Sequence, residues 1–544
     1  MPTHSKRILP RAASFLLAAL LCFGLLCLPA CKHDEGTGKI INYPIDATPQ
    51  RLDPAVASSP EELLVLGNCM EGLLRQDAQG RLMPGVAERW DISPDGRVLT
   101  FHLRWDNRWR LPDDPLIELV DTATDFAALV TAEDFAFGLR RALNPAVNAP
   151  GASLLFPILN AEKVRAGELP ESALGVRAVN QFTLEITLEK PGGAILYALA
   201  RSVAMPCSRA YFEACGGRYG LEPKYLPCNG PFYLVRMDDV LTRLKPNEGY
   251  RDKVEELALP ATVNLWVQSD SYLRAKLLGT EFDAAVVPDG LAAEAPEGMT
   301  GRALRNAILA LMFNCESLQD VNIRVAMCAA LEPQALGYQS LPGLLPPGAI
   351  AGEKNYREAA GLPVGIAHDM ERASALAATA KDKITLRLIC APEHETLLRR
   401  ALQAWQRAFR LGMEARIEAL EPEELRERLE AGDFDVAVAQ LGMEHSSALE
   451  ALQALGGHGG PQGHRESPAR YQSPILEALL RAAAQTDDIA GACLQAEEHL
   501  LQNGVYYPLE ARSSLLLQAD GIEGLEASPA GDMVYFKGVR KWEK

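Results

Sequence analysis

An α/β fold is predicted by three features of this 544-residue sequence. Segments with apolar residues at every second position interleave with segments whose apolar residues recur every three to four. Between residues 60 and 260 the strands alternate apolar and polar, which fits sheets with one exposed face, antiparallel or mixed. From residue 384 the order becomes strand, helix, strand, helix, strand, and such helical crossovers join parallel strands.

At the N-terminus, Lys6, Arg7 and Arg11 precede an apolar stretch from Ser14 to Leu28, and no acid occurs before Asp34. That is the layout of a signal peptide over residues 1–30. The apolar run is too short, and too closely followed by Lys32, His33, Asp34 and Glu35, for a spanning helix, which needs about 20 apolar residues. Leu28-Pro29-Ala30-Cys31 resembles the bacterial lipobox, which implies a diacylated Cys31, palmitate included, at the mature N-terminus, with 31–37 as a tether. Two acyl chains anchor stably, because each buried CH₂ contributes about 0.8 kcal/mol.

The net charge of −17 becomes −20 once residues 1–30 and their three cations are removed, which argues against a nucleic-acid partner. The charges are spread through helices as a solvated surface. Of eleven cysteines, eight lie beyond Cys31, and an oxidising compartment permits disulfides among them. Cys69 and Cys328 sit in apolar helical patterns and read as buried free thiols, whereas the closely spaced Cys207, Cys215 and Cys228 are the candidates for a bridge.

A helix is predicted over 61–74, burying Leu63, Leu66, Met70 and Leu73. Strands follow at Leu99, Phe101, Leu103, Trp105 and at Phe182, Leu184, Ile186, Leu188. Residues 110–130 form a surface excursion. A second helix starts at Thr131, a capping residue with Asp134 in the first turn, and stripes Phe135, Leu139 and Leu143. Further on, Ile384 to Cys390 is a strand, Thr396 to Leu411 a helix, and Met413 to Ala419 a strand. A short helix from Pro422 stops at Gly432, and Phe434 to Leu441 is the last strand. Ligands of such sheets bind beyond the strands' carboxyl ends, which nominates Ala391 to His394 and Gly442 to Ser447.

Several short segments occur in a telling order. They are Leu52-Asp53-Pro54, Met70-Glu71-Gly72-Leu73, Pro84 to Trp90 with Ser93, Asp95 and Gly96, and Trp109 with Thr131 to Phe135. Asn229-Gly230-Pro231-Phe232, Asn247 with Tyr250, and Phe313-Asn314 with Asp320, Arg324, Ala326 and Ala330 complete the series. Together they resemble the extracytoplasmic solute-binding proteins of ABC importers, in the oligopeptide/dipeptide/nickel-binding class, family 5. The resemblance implies a periplasmic-binding-protein-like clamshell of type II, with two lobes, crossover hinge strands and an extra subdomain. By position, lobe I comprises 38–57, 184–262 and 508–544, the extra subdomain 58–183, and lobe II 263–507.

In peptide-binding relatives a W-x-x-D-Y segment ends the last strand of the βαβαβ unit, its aspartate holding the ligand's ammonium. The corresponding residues here are Leu441, Gly442, Met443, Glu444 and His445, which keep only the carboxylate. Ser58 and Ser59 lie where the family pairs ligand backbone, and Asn229 starts a strand entering the cleft. The implied partners are a small peptide or similar extended solute, an ABC permease, and a membrane reached through the lipid anchor; the chain itself is expected to be a monomer.

No G-x-S-x-G, H-E-x-x-H, P-loop or paired C-x-x-C motif occurs, so no enzyme activity and no cofactor are expected. His394 and His445, with Glu393 or Glu444, or the His458 to His464 stretch, would suit a transition metal, which keeps a nickel binder as an alternative. The other alternative is an envelope sensor or adhesion lipoprotein on the same fold.

Overall fold

On the strand Val98–Leu103, Leu99, Phe101 and Leu103 are buried while the residues between them stay partly exposed. The computed structural model describes residues 39–77, 80–113, 129–251, 259–338, 343–352, 354–380, 383–410, 412–442, 447–456, 467–528 and 533–542. Cys31, most of the 110–130 excursion, and Met443, Glu444 and His445 therefore lie outside the described residues. Val98–Leu103 pairs antiparallel with Ala87–Ile92 and Thr183–Thr187, and Val176–Asn180 completes a four-stranded sheet. Trp105, expected on the buried face, is 67% exposed. The strand stops at Leu103, and it is Arg104 that turns inward, to the Glu71 carboxylate.

The helix Ala132–Ala142 packs on this sheet and buries Phe135 and Leu139, followed by Leu143. Its start is fixed as expected: the Asp134 carboxylate accepts from the N–H and the hydroxyl of Thr131, at 2.8 and 2.9 Å. The helix expected over 61–74 is shorter, Pro60–Cys69. The backbone of residues 71–73 is claimed by other partners, with Glu71 held by Asn229 and Leu73 accepting from Gly85 and Ala87, so the helical ladder cannot continue.

A second four-stranded sheet joins distant parts of the chain. Ile40–Ile45 pairs parallel with Thr262–Val267, and Leu241–Pro246 and Phe232–Met237 follow antiparallel. The C-terminal segment closes over it, with Phe536 edge-on to Tyr43 at 5.5 Å.

The C-terminal half is built on six strands in the order Ala284–Pro288, Tyr506–Gln518, Thr300–Phe313, Val436–Gly442, Ile384–Cys390, Met413–Ala419. The last three are parallel and joined by the helices Glu395–Ala408 and Pro422–Ala431, the βαβαβ unit read from the sequence. Both faces are covered. Met312, Ile389, Ala437 and Ala439 face the helices Ala448–Gly456, Pro474–Ala484 and Ile489–Gln502, while Leu311, Leu388, Val436 and Val438 face Val321–Ala329, Met370–Ala377 and Glu395–Ala408. Two buried faces explain why the central strand Val436–Gly442 opens as a continuous apolar run.

Thr300–Phe313 and Tyr506–Gln518 pair along most of their length, with irregularities at Leu304/Ala307 and Leu309/Ala310. Their far ends approach the N-terminal half through Ala284–Pro288, beside which the Asp283 carboxylate accepts from the Asn42 N–H at 2.8 Å.

The cysteines depart from expectation in one respect. Cys207, Cys215 and Cys228 are buried free thiols, as are Cys69 and Cys328. The Sγ atoms of Cys215 and Cys228 point to the carbonyls of Tyr225 and Leu226, and Cys207 lies beside the Arg141 guanidinium; none of the three is bridged. Among the described residues, no helix is long and apolar enough to cross a membrane.

Candidate functional site

The segment after the helix Pro60–Cys69 is held open by a buried polar framework. Asn229, fully buried, accepts from the Glu71 N–H (3.0 Å) and donates to the Glu71 carbonyl (2.9 Å), while Asn107 donates to the Asn229 carbonyl. Gly230 is required beside it: a Cβ there would lie 2.7 Å from the Cys69 carbonyl carbon. The Glu71 carboxylate accepts from Arg104 and from the Tyr250 hydroxyl, both at 2.9 Å. Burial pushes the Glu71 pKa up, with the Arg104 guanidinium pulling against it.

Glu71 and Tyr250 of this framework line a cavity of about 420 Å³, completed by Arg75, Gln76, Arg201, Met205 and the C-terminal residues Gly524, Tyr535 and Lys537. Its size is in the range of small-molecule sites, roughly 300–1,000 Å³. Gln76 also lines a second, smaller cavity. That one has Leu154, Pro157 and Tyr197 of the N-terminal half on one side, and Ile350, Ser447, Glu450 and Ile489 of the C-terminal half on the other.

The two halves meet around these cavities. Arg201 Nη2 lies 3.6 Å from Glu450 Oε2, with both side chains largely buried, and Arg201 Nη1 lies 3.5 Å from Gln76 Oε1. Farther out, Arg481 faces Glu162 at 3.6 Å. Gly192 approaches the backbone of Gln485 so closely that a Cβ would sit 3.1 Å from it.

Of the residues singled out from the sequence, Ser59 caps the helix Pro60–Cys69, its hydroxyl accepting from the Glu62 N–H at 3.2 Å. The Glu62 carboxylate in turn accepts from the N–H groups of Ser58 and Ser59, at 2.9 and 3.2 Å, so those two main-chain donors serve the cap. Leu441 and Gly442 end the strand Val436–Gly442, opposite Ile308 and Ala307. Ser447, at the end of the nominated Gly442 to Ser447 stretch, does line the smaller cavity, beside its bridge to Ile350. His394 lies half-buried at the start of Glu395–Ala408, its pKa lowered by burial, away from both cavities. Among the described residues no three His, Cys, Asp or Glu side chains group as a metal site.

Sequence reasoning passed over Gln76, Arg201 and Glu450. Two of them carried a signal. Arg201 is the sole charge in the run from Ala194 to Ser208, and Glu450 the sole charge between Ser446 and Gly457.

Residues 81–463 match the family described as bacterial extracellular solute-binding proteins, family 5 middle. The chain is 31% identical over 236 residues to the probable deoxycholate-binding periplasmic protein YgiS of Escherichia coli, the alignment covering 41% of each chain. The chain thus spans less than half the length of that relative. It is 23% identical over 526 residues to the dipeptide-binding protein DppE of Bacillus subtilis, covering 92% of each. In three dimensions it resembles Listeria monocytogenes OppA bound to peptide, with a TM-score of 0.71, 22% identity, and coverage of 93% of this chain and 100% of the other. The α/β clamshell class expected from the sequence is the fold these chains share.

Proposed function

Because the chain belongs to the family 5 bacterial extracellular solute-binding proteins, we propose that it captures short peptides or similar extended solutes outside the cytoplasm and passes them to an ABC permease. The observation that carries this reading is the smaller cavity, walled by both halves of the molecule and adjoined at Gln76 by the larger one. A ligand between the halves binds the closed form better than the open one, and that difference is what a permease can sense.

In this reading 38–57, 184–262 and 508–544 act as one lobe, 58–183 as its added subdomain and 263–507 as the opposing lobe. Thr300–Phe313 and Tyr506–Gln518 supply the flexing connection. Cys31 carries the lipid, which holds the receptor near its membrane partner and raises their effective concentration. Replacing it (Cys31→Ser) removes palmitate labelling of the protein and releases it from membranes; labelling that persists refutes the anchor.

The reading is tested by thermal unfolding with di- to hexapeptides, deoxycholate and Ni²⁺. A ligand that binds only the native state stabilises it by RT ln(1 + [L]/Kd), about 2.7 kcal/mol at 100 Kd. A shift with peptides supports the reading. A shift with deoxycholate alone transfers the ligand class of YgiS to this chain, and a shift with Ni²⁺ alone makes the protein a metal carrier.

A further inference from the structure

The end of the helix Pro60–Cys69 lies against the segment that carries Asn229. The Gly230 N–H donates to the Cys69 carbonyl at 2.9 Å, and a Cβ on Gly230 would stand 2.7 Å from that carbonyl carbon, so the two backbones touch. Cys228 stands two positions before Gly230, and neither Cys69 nor Cys228 has any solvent exposure. Their thiols meet. Burial, and then contact with the Cys228 thiol, push the Cys69 pKa up. The Cys228 S–H is directed to the Leu226 carbonyl at 3.8 Å, which leaves its sulfur to accept from Cys69. The nearby cysteines face elsewhere, Cys215 toward the Tyr225 carbonyl and Arg218, and Cys207 toward Arg141 and Asp53.

We propose that Cys69 and Cys228 are oxidised to a disulfide in the cell envelope, and that this bridge staples the wall of the larger cavity. The proposal rests on the extracytoplasmic reading above, since such bridges persist outside the cytoplasm. Met70, Glu71 and Gly72 follow Cys69 directly, Pro231 follows Cys228 closely, and all four line that cavity. Asn229 already ties the two segments by hydrogen bonds to Glu71, and a covalent link beside it holds the junction when those bonds open. A bridge between residues so far apart in sequence also restricts the unfolded chain strongly. The step is thiol–disulfide exchange with an oxidised partner, either an exposed disulfide of an envelope protein or a low-molecular-weight disulfide. One cysteine thiolate attacks a partner sulfur and expels the other, and the second cysteine then displaces the partner. The chain loses two protons and two electrons, and the partner disulfide is reduced to two thiols. Only the thiolate attacks, and burial suppresses it, so exchange runs while the N-terminal half is still open, and folding then shields the bridge from reductants.

The experiment recovers the protein from cell fractions without reductant, denatures it in N-ethylmaleimide, and maps its peptides by mass spectrometry. The expected map, from the envelope fraction, joins the peptides of Cys69 and Cys228 at a mass two hydrogens below their sum. Cys69 and Cys228 both alkylated, or Cys228 joined to Cys215, overturns the bridge and leaves extracytoplasmic peptide capture standing. Protein found only in the cytoplasm overturns the extracytoplasmic reading and the bridge together. For the staple, oxidised wild type is compared with wild type reduced in denaturant and refolded in a phosphine reductant. The reduced form melts several degrees lower, and the difference disappears in Cys69→Ala/Cys228→Ala. Equal midpoints for the two wild-type forms, or a difference that remains in the double variant, overturn the staple.

Discussion

Glu497 is fully buried and gathers five donors on one carboxylate. It accepts from the N–H groups of Leu344 (2.6 Å) and Leu345 (3.1 Å), from the Tyr356 hydroxyl (2.8 Å), and from Arg357 through Nη1 (2.7 Å) and Nη2, a two-pronged contact. These bonds tie the helix Ile489–Gln502 to the stretch between Leu344 and Arg357, which carries Ile350 and Gly352 to the wall of the smaller cavity. Glu497→Gln keeps the shape but replaces one acceptor oxygen with a donor that opposes the groups already aimed at it.

Removing one partner of a buried pair costs about 3–5 kcal/mol. Arg357 retains some solvent contact, its side chain 17% exposed, which places its share near the lower end. A stranded backbone N–H adds about 1 kcal/mol. The expected loss is therefore about 4 kcal/mol, a large part of the roughly 5–15 kcal/mol typical of a folded domain. Urea unfolding followed by circular dichroism measures it. A loss under about 1 kcal/mol for Glu497→Gln would mean the carboxylate is no better than a surface charge, and the reasoning fails.

Asp134, raised by burial from 3.8 to about 6, binds a proton in the folded chain where the unfolded chain has released it. Its contribution therefore makes stability fall as pH rises from about 4 to about 6, and Asp134→Asn should flatten thermal midpoints across that interval. Asn229→Ala strands both backbone groups of Glu71 and should lower the urea midpoint by the equivalent of about 2–4 kcal/mol, with ligand affinity little changed below the transition. Affinity lost with stability intact would instead make Asn229 a ligand contact. Gly524 has φ +72°, and a Cβ there would meet the Gly538 carbonyl oxygen at 2.1 Å, so Gly524→Ala should destabilise by more than about 1 kcal/mol. Gly290→Ala, with open space around it, is the control and should leave the midpoint nearly unchanged.

The C-terminal sheet was legible because its strands are buried on both faces and its helices carry strong apolar stripes, as at Leu398, Ala401 and Trp405. Thr131 and Asp134 announced a helix start through local chemistry alone. Period-based reading failed where tertiary contacts redirect the backbone. Residues 71–73 leave the helix because Asn229, 158 positions away, captures Glu71, and Trp105 turns outward because Arg104 is drawn in. Among the described residues nominated from the sequence, Ser447 lines the smaller cavity. Gln76, Arg201 and Glu450 come from three distant segments, and no local spacing relates them.

Tyr506–Gln518 stands second in the six-stranded sheet yet is the last of its strands in chain order. Its neighbours, Ala284–Pro288 and Thr300–Phe313, are made some two hundred residues earlier and face each other across the place it fills. Closing so long a loop is slow, and during synthesis it cannot begin until the ribosome has passed Gln518. The connection between the halves is thus among the final parts of the molecule to assemble. A chain ended before Tyr506 would present two unpaired sheet edges, which makes late truncation an aggregation hazard.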